Sequence, residues 1–193
     1  MGLSPEAGLA IEFGAHLLFI PLAYGILRLS GTPGPSMGPL PQAKRLRSFS
    51  ALAAFFITFQ VLNGPQGGTA GGSLLSQGFG LAVAQLVFQG VVVGWTEEYL
   101  FRGSIQRALN FKWRQREIGR GVKAGTLVVS VLFGVSHFAN LLLGQGFLGT
   151  VVQALGAVVV GLIFGTYYDA KDDLAGIAWL HNIADFVPLL LSL

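Results

Sequence analysis

Two adjacent glutamates, Glu97 and Glu98, stand with Arg102 in the stretch TEEYLFRG, at the end of an apolar run that begins near Leu81. Two histidines and an aspartate keep similar company further on: His137 in FGVSHFAN, and His181 with Asp185 in LHNIADF. A carboxylate base beside a histidine can take a proton from water, and further His, Asp or Asn groups can stabilise the oxyanion that forms at an amide carbonyl. These residue types point to amide hydrolysis. Their setting makes a functional reading the default, because Asp, Lys or Arg inside a membrane span costs roughly 2.5–3.5 kcal/mol on insertion scales.

Helical spacing sorts the groups. Glu98 and Arg102 are four residues apart with the acid on the N-terminal side, the favourable order for an ion pair, so Arg102 is expected to neutralise Glu98. Glu97 points about 100° away around the helix and is left as the carboxylate free for chemistry. His181 shares a helical face with Asp185, and Phe133 shares one with His137, again at i,i+4. A lone histidine in a span would read as a satisfied interhelical contact. His16, in the first apolar stretch, is read that way, as packing or a polar contact.

The elements that must position these groups are apolar helices. Hydrophobic residues make up 52% of the 193 residues and charged ones 11%, against about 25% charged in soluble proteins. The predicted fold is an all-α, polytopic membrane bundle forming a single membrane domain over residues 1–193, with the motif-bearing core at about 79–193. A spanning helix needs about 20 apolar residues. Six stretches qualify, at about 7–28, 49–62, 79–106, 124–143, 148–168 and 174–193, the second being short. At about 1.5 Å of rise per residue, Glu97 lies about 15–20 Å from the basic end of the third span, His137 about 20 Å into the fourth and His181 about 10 Å into the sixth. The three can meet if those spans enter from the same side.

Charge distribution supplies that orientation. Of twelve Lys and Arg residues, nearly all sit around the first loop (Arg28, Lys44, Arg45, Arg47) or after the third span (Arg107, Lys112, Arg114, Arg116, Arg120, Lys123). Basic short loops stay cytoplasmic, which places the N-terminus, residues 63–78, the 144–147 turn and the C-terminus outside. The segment 107–123 reads equally as an amphipathic interfacial helix or as a basic loop facing anionic lipid; no nucleic-acid partner is expected. The proline-rich residues 30–42 read as a connector, and the Gly-rich 63–78 as a linker or a mobile element controlling substrate access. Gly90/Gly94 and Gly161/Gly165 have the spacing that lets helices pack closely. The chain has no cysteine, which removes disulfides, thiol chemistry and cysteine-ligated zinc. No basic, cleavable signal opens the sequence, so the first span reads as retained.

EEYLFR fits an EExxxR pattern, FGVSH an FxxxH pattern and HNIAD an HxxxN/D pattern, in that order across about 90 residues. Together they resemble the signatures of the CPBP family of intramembrane proteases, which takes in the CAAX prenyl endopeptidases and bacteriocin-processing enzymes. The resemblance implies a helical membrane fold and a glutamate-dependent endopeptidase without a cofactor. By the same resemblance Glu97 is the general base, His137 helps hold the water, His181 and Asp185 line the oxyanion side, and Glu98 with Arg102 fixes the helix, Phe133 belonging to the second motif. Asp185 stands where many members have Asn. It either donates in a protonated form or accepts a hydrogen bond from His181 and orients the ring.

A His2Glu set of Glu97, His137 and His181 would also suit catalytic zinc with water in the fourth position, although no HExxH pair is present. The leading expectation is an intramembrane endopeptidase of a bacterial or archaeal inner membrane. Its substrate would be a peptide or protein in or at the bilayer, lipidated or bearing a C-terminal sorting tail. The alternatives are a non-catalytic scaffold or bacteriocin-immunity factor on the same fold, against which every motif position is filled, and a proton-coupled transporter using Glu, His and Asp as a relay. A transporter would be expected to show repeats or paired broken helices, which the sequence lacks.

Overall fold

The structure is a computed structural model that describes residues 4–36, 38, 45–63 and 73–193. The expectations for the remainder of the proline-rich connector and for most of the Gly-rich 63–78 stretch lie outside those residues. The described chain is an all-α membrane bundle: α1 Pro5–Ser30, α2 Leu46–Asn63, α3 Phe79–Lys112, α4 Ala124–Leu141, α5 Phe147–Lys171 and α6 Leu174–Leu190. Helices α1, α3, α4 and α5 are long and apolar enough to cross a membrane, while α2 and α6 are shorter apolar helices. The protein is an integral membrane protein. Large apolar side chains such as Leu18, Leu62, Leu148 and Leu155 are exposed along its outer surface, at 65–80%, as a lipid-facing wall requires.

Local sequence explains the helix ends. Ser4 caps α1 by accepting a hydrogen bond from the Ala7 N–H, with Pro5 at the first helical position where its missing N–H costs nothing. Asp173 does the same for α6 through the Gly176 N–H at 3.1 Å. Between α3 and α4 no interfacial helix forms. The helical pattern stops at Lys112, and Glu117–Gly119 pairs antiparallel with Val122–Lys123. The reason is the Gly119-Arg120-Gly121 turn, where all three residues have positive φ, of 134°, 50° and 76°, a backbone that glycine adopts freely and a helix cannot contain.

Helix α3 is not a uniform α-helix. Phe88–Val93 and Tyr99–Gln106 are π-helical, with a short α segment, Gly94–Glu98, between them. Such wide turns are rare and recur at functional sites. Two apolar clusters frame this helix. One joins α1, α3, α4 and α5 through Ala23, Phe101, Val129, Phe133 and Ala157. The other joins α2, α5 and α6 through Phe56, Phe164, Leu174, Ile177 and Leu180. The polar residues of the sequence motifs lie at the seam between them. The small residues hold that seam closed: a Cβ on Gly165 would meet Thr126 Cγ2 at 2.7 Å, and one on Gly90 would meet the Phe186 ring at 2.8 Å.

Candidate active site

The deepest part of the site is the Glu98–Arg102 pair, both side chains fully buried. Arg102 Nη1 donates to Glu98 Oε1 at 3.1 Å, and the guanidinium carbon sits 4.3 Å from the centre of the Phe133 ring. Glu98 Oε1 takes a second hydrogen bond at 2.8 Å from His181 Nδ1. A carboxylate oxygen accepts, so that nitrogen carries its proton. One buried acid thus ties α3 to α6. Glu98 Oε2 and Arg102 Nε and Nη2 are buried without a hydrogen-bond partner among the described residues.

The other face of His181 looks toward two further carboxylates. Its Nε2 is 3.3 Å from Asp185 Oδ2 and 3.7 Å from Glu97 Oε2; the first is near hydrogen-bond length, the second an ion-pair separation. Glu97 is one helical step from Glu98 and retains 17% side-chain exposure, and Asp185 retains 33%, so this side opens outward whereas the Arg102 side is sealed. The His181 ring is wedged edge-on against Phe133, centroids 5.7 Å apart, and tilted against Phe164 at 6.0 Å.

His137 reaches the group through Phe133. It stands where α4 tightens into a 3-10 turn, His137–Leu141, with its ring edge-on to Phe133 at 5.0 Å. Its Nδ1 donates to the Phe133 carbonyl at 2.8 Å, which leaves Nε2 as the acceptor in the neutral ring. Phe133 therefore stands between the two histidines and over the arginine.

Two residues of the site were not expected from the sequence. His16 is no bystander: its Nε2 lies 3.2 Å from Glu97 Oε1 and its Nδ1 donates to the Glu12 carbonyl at 2.8 Å. Glu97 is thus engaged by two histidines and not free. The available signal was spacing, since His16, Phe19, Ala23 and Ile26 form one stripe on α1, of which Ala23 is fully buried and Phe19 and Ile26 pack on the core. Asn182, 1% exposed, is the other. It accepts from the Gly94 N–H at 2.7 Å and donates to the Val91 carbonyl at 3.3 Å, so its amide satisfies backbone groups at the junction where the first π segment of α3 returns to α. That contact requires Gly94, because a Cβ there would meet the Ala178 carbonyl oxygen and Asn182 Oδ1. Nothing in an Asn on a helix signals a clamp of this kind without knowledge of the π turn opposite.

Among the described residues no set of three or more His, Asp or Glu side chains is arranged to hold an ion. Within the site His181 Nδ1 is taken up by Glu98, and His16 is held between the Glu12 carbonyl and Glu97. A second polar concavity, of about 290 Å³, lies at the basic end of the bundle. Its charges are paired internally, Arg107 with Asp172 at 2.9 Å and Lys123 with Asp169 at 3.3 Å.

The two glutamates of α3, the histidine-aspartate pair of α6 and the phenylalanine-histidine pair of α4 all fall within one matched stretch of the chain. A family model described as type II CAAX prenyl endopeptidase Rce1-like matches residues 79–187. The chain belongs to that family. At family level this makes it a CAAX-type intramembrane endopeptidase acting on protein at the membrane. No curated protein and no solved structure matches the chain. The match spans α3 to α6 and leaves out α1, which supplies His16.

Proposed function

We propose that the chain hydrolyses a peptide bond of a membrane-associated protein with water activated by Glu97. The observation that carries the reading is the position of Glu97 Oε2, a partly exposed carboxylate oxygen facing His181 Nε2 at 3.7 Å, while its neighbour Glu98 is spent on Arg102 and His181. Water gives its proton to Glu97 as its oxygen adds to the carbonyl carbon, and the carbonyl electron pair moves onto oxygen. The C–N bond then breaks and the proton passes from Glu97 to the departing amine. His137, whose Nε2 accepts, helps to hold the attacking water. His181 stabilises the oxyanion. Asp185 orients the His181 ring, a role that its Oδ2 at 3.3 Å from Nε2 supports.

The substrate proposed is a lipidated tail or a C-terminal sorting tail presented at the bilayer surface, with the basic hairpin on the cytoplasmic side of a bacterial or archaeal inner membrane. The test compares membrane-protein termini in cells carrying the wild type and Glu97→Gln, expressed equally. A terminus present only with the wild type names the substrate and supports hydrolysis. Identical termini in cells where the wild type alters phenotype would replace this reading with a scaffold.

A further inference from the structure

We infer that His16, on α1 and outside the stretch that carries the family signature, is a positioning residue for Glu97, holding Oε1 through a shared proton so that Oε2 alone is presented to water. The inference rests on the assignment of Glu97 as general base. Its physical basis is proton counting. The Glu12 carbonyl can only accept, so His16 Nδ1, 2.8 Å away, bears a hydrogen. A hydrogen bond between His16 Nε2 and Glu97 Oε1 at 3.2 Å then needs one more proton, carried on Nε2 of an imidazolium or on the carboxyl. With the proton on Nε2 the carboxylate is anchored by one oxygen and basic at the other. The proton from water goes to Oε2 and leaves with the amine, and the His16 proton stays in place throughout.

The surroundings fit a fixed ring and not a passing contact. Phe19 and Phe88 lie against it, each with centroids 5.0 Å away, and its side chain is only 12% exposed. Neighbours on the same helix, Leu17, Leu18 and Ile20, face outward. A polar side chain turned inward on such a helix is costly unless its partner repays the loss of water, and the partner here is the carboxylate the chemistry uses.

The test starts from the fact that the chain has three histidines, so nitrogen resonances of 15N-histidine-labelled protein in lipid nanodiscs can be assigned by substitution. In the wild type His16 Nε2 is expected at the position of a nitrogen sharing a proton, and in Glu97→Ala at that of a bare imine nitrogen, with Nδ1 protonated in both. The same Nε2 signal in both proteins would overturn the inference. With a farnesylated CAAX peptide as reporter, His16→Phe, which keeps a ring in place, should lower kcat by about 10²-fold, the scale of a misplaced catalytic group, with KM changed by less than about twofold. His16→Gln, whose amide N–H can still donate to Oε1, should recover at least about a tenth of the wild-type kcat. Full turnover by Glu97→Gln would sink the base assignment itself. An inactive Glu97→Gln beside a fully active His16→Phe would sink only the role of His16. If His16→Phe does not fold, the Gln variant and the resonances decide.

Discussion

Replacing Arg102 by Met should destabilise the bundle far more than replacing Arg102 and Glu98 together. Both side chains of the pair are fully buried, and Glu98 Oε1 accepts from Arg102 at 3.1 Å and from His181 at 2.8 Å. Removing the arginine leaves a buried carboxylate with a single donor, a change that costs about 3–5 kcal/mol. Loss of the cation over the Phe133 ring at 4.3 Å adds up to about 2 kcal/mol, of which the Met sulfur recovers about 1 kcal/mol. The sum is about 3–6 kcal/mol, and at roughly 2–4 °C per kcal/mol for a chain of this size the unfolding midpoint should fall by roughly 6–24 °C. The double change Glu98→Gln/Arg102→Met removes both charges and keeps an acceptor for His181 Nδ1. A buried pair replaced as a unit is often near neutral, all the more where three of its buried atoms lack a partner. The double variant should therefore regain at least about 2 kcal/mol over the single one. Denaturant titration in bicelles, run as a double-mutant cycle, measures this. A loss under about 1 kcal/mol for Arg102→Met, or additivity within about 0.5 kcal/mol, would refute the claim that Arg102 neutralises Glu98.

Three further outcomes follow from the packing and charge. Gly94→Ala should cost about 1–3 kcal/mol by overpacking, while Gly14→Ala, with open space around it, should not; thermal unfolding in the same bicelles separates them, and equal midpoints would mean that α3 and α6 do not meet there. Asn182→Ala should cost about 1–3 kcal/mol for each backbone group left unsatisfied at the π-to-α junction and raise hydrogen exchange at the Gly94 amide, which an unchanged exchange rate would contradict. Because the chain has no cysteine, single cysteines at Gln145 and Arg116 report orientation directly: an impermeant maleimide applied to intact cells should label the first and spare the second, and the reverse would invert the proposed topology.

Much of the bundle was legible because hydropathy and helix rise are local properties. The six apolar stretches correspond to the six helices within a few residues. The depths were counted for Glu97, His137 and His181: His181 Nε2 lies 3.7 Å from Glu97 Oε2, and His137 joins His181 through the Phe133 ring between them. The hairpin after Lys112 was legible in part, since Gly119-Arg120-Gly121 is a turn by composition, but scattered Leu, Phe, Trp and Ile residues between basic ones also suit an interfacial helix. The π turns of α3 were hidden, because they depend on a partner: without the Asn182 amide against Val91 and Gly94, nothing in FQGVVV distinguishes a wide turn from an α-helix.

His16 was hidden for a different physical reason, and that reason bears on how far the matched stretch describes the site. Charged motifs within α3, α4 and α6 announce themselves because each contains more than one polar group at helical spacing. The first helix has an i,i+4 pair of its own, Glu12 and His16, but the carboxylate that the imidazole meets lies 81 residues away and the pair matches no motif. Glu97 Oε1 makes the shorter of the two histidine contacts, 3.2 Å to His16 Nε2, whereas Oε2 at 3.7 Å from His181 is beyond hydrogen-bond length. Residues 79–187 hold Glu97, His137, His181 and the buried Glu98–Arg102 pair, yet leave Glu97 Oε1 without its imidazole partner. The first helix closes that gap, and a chain reduced to the matched residues should keep the Glu98–Arg102–His181 contacts while losing the fixed orientation of Glu97.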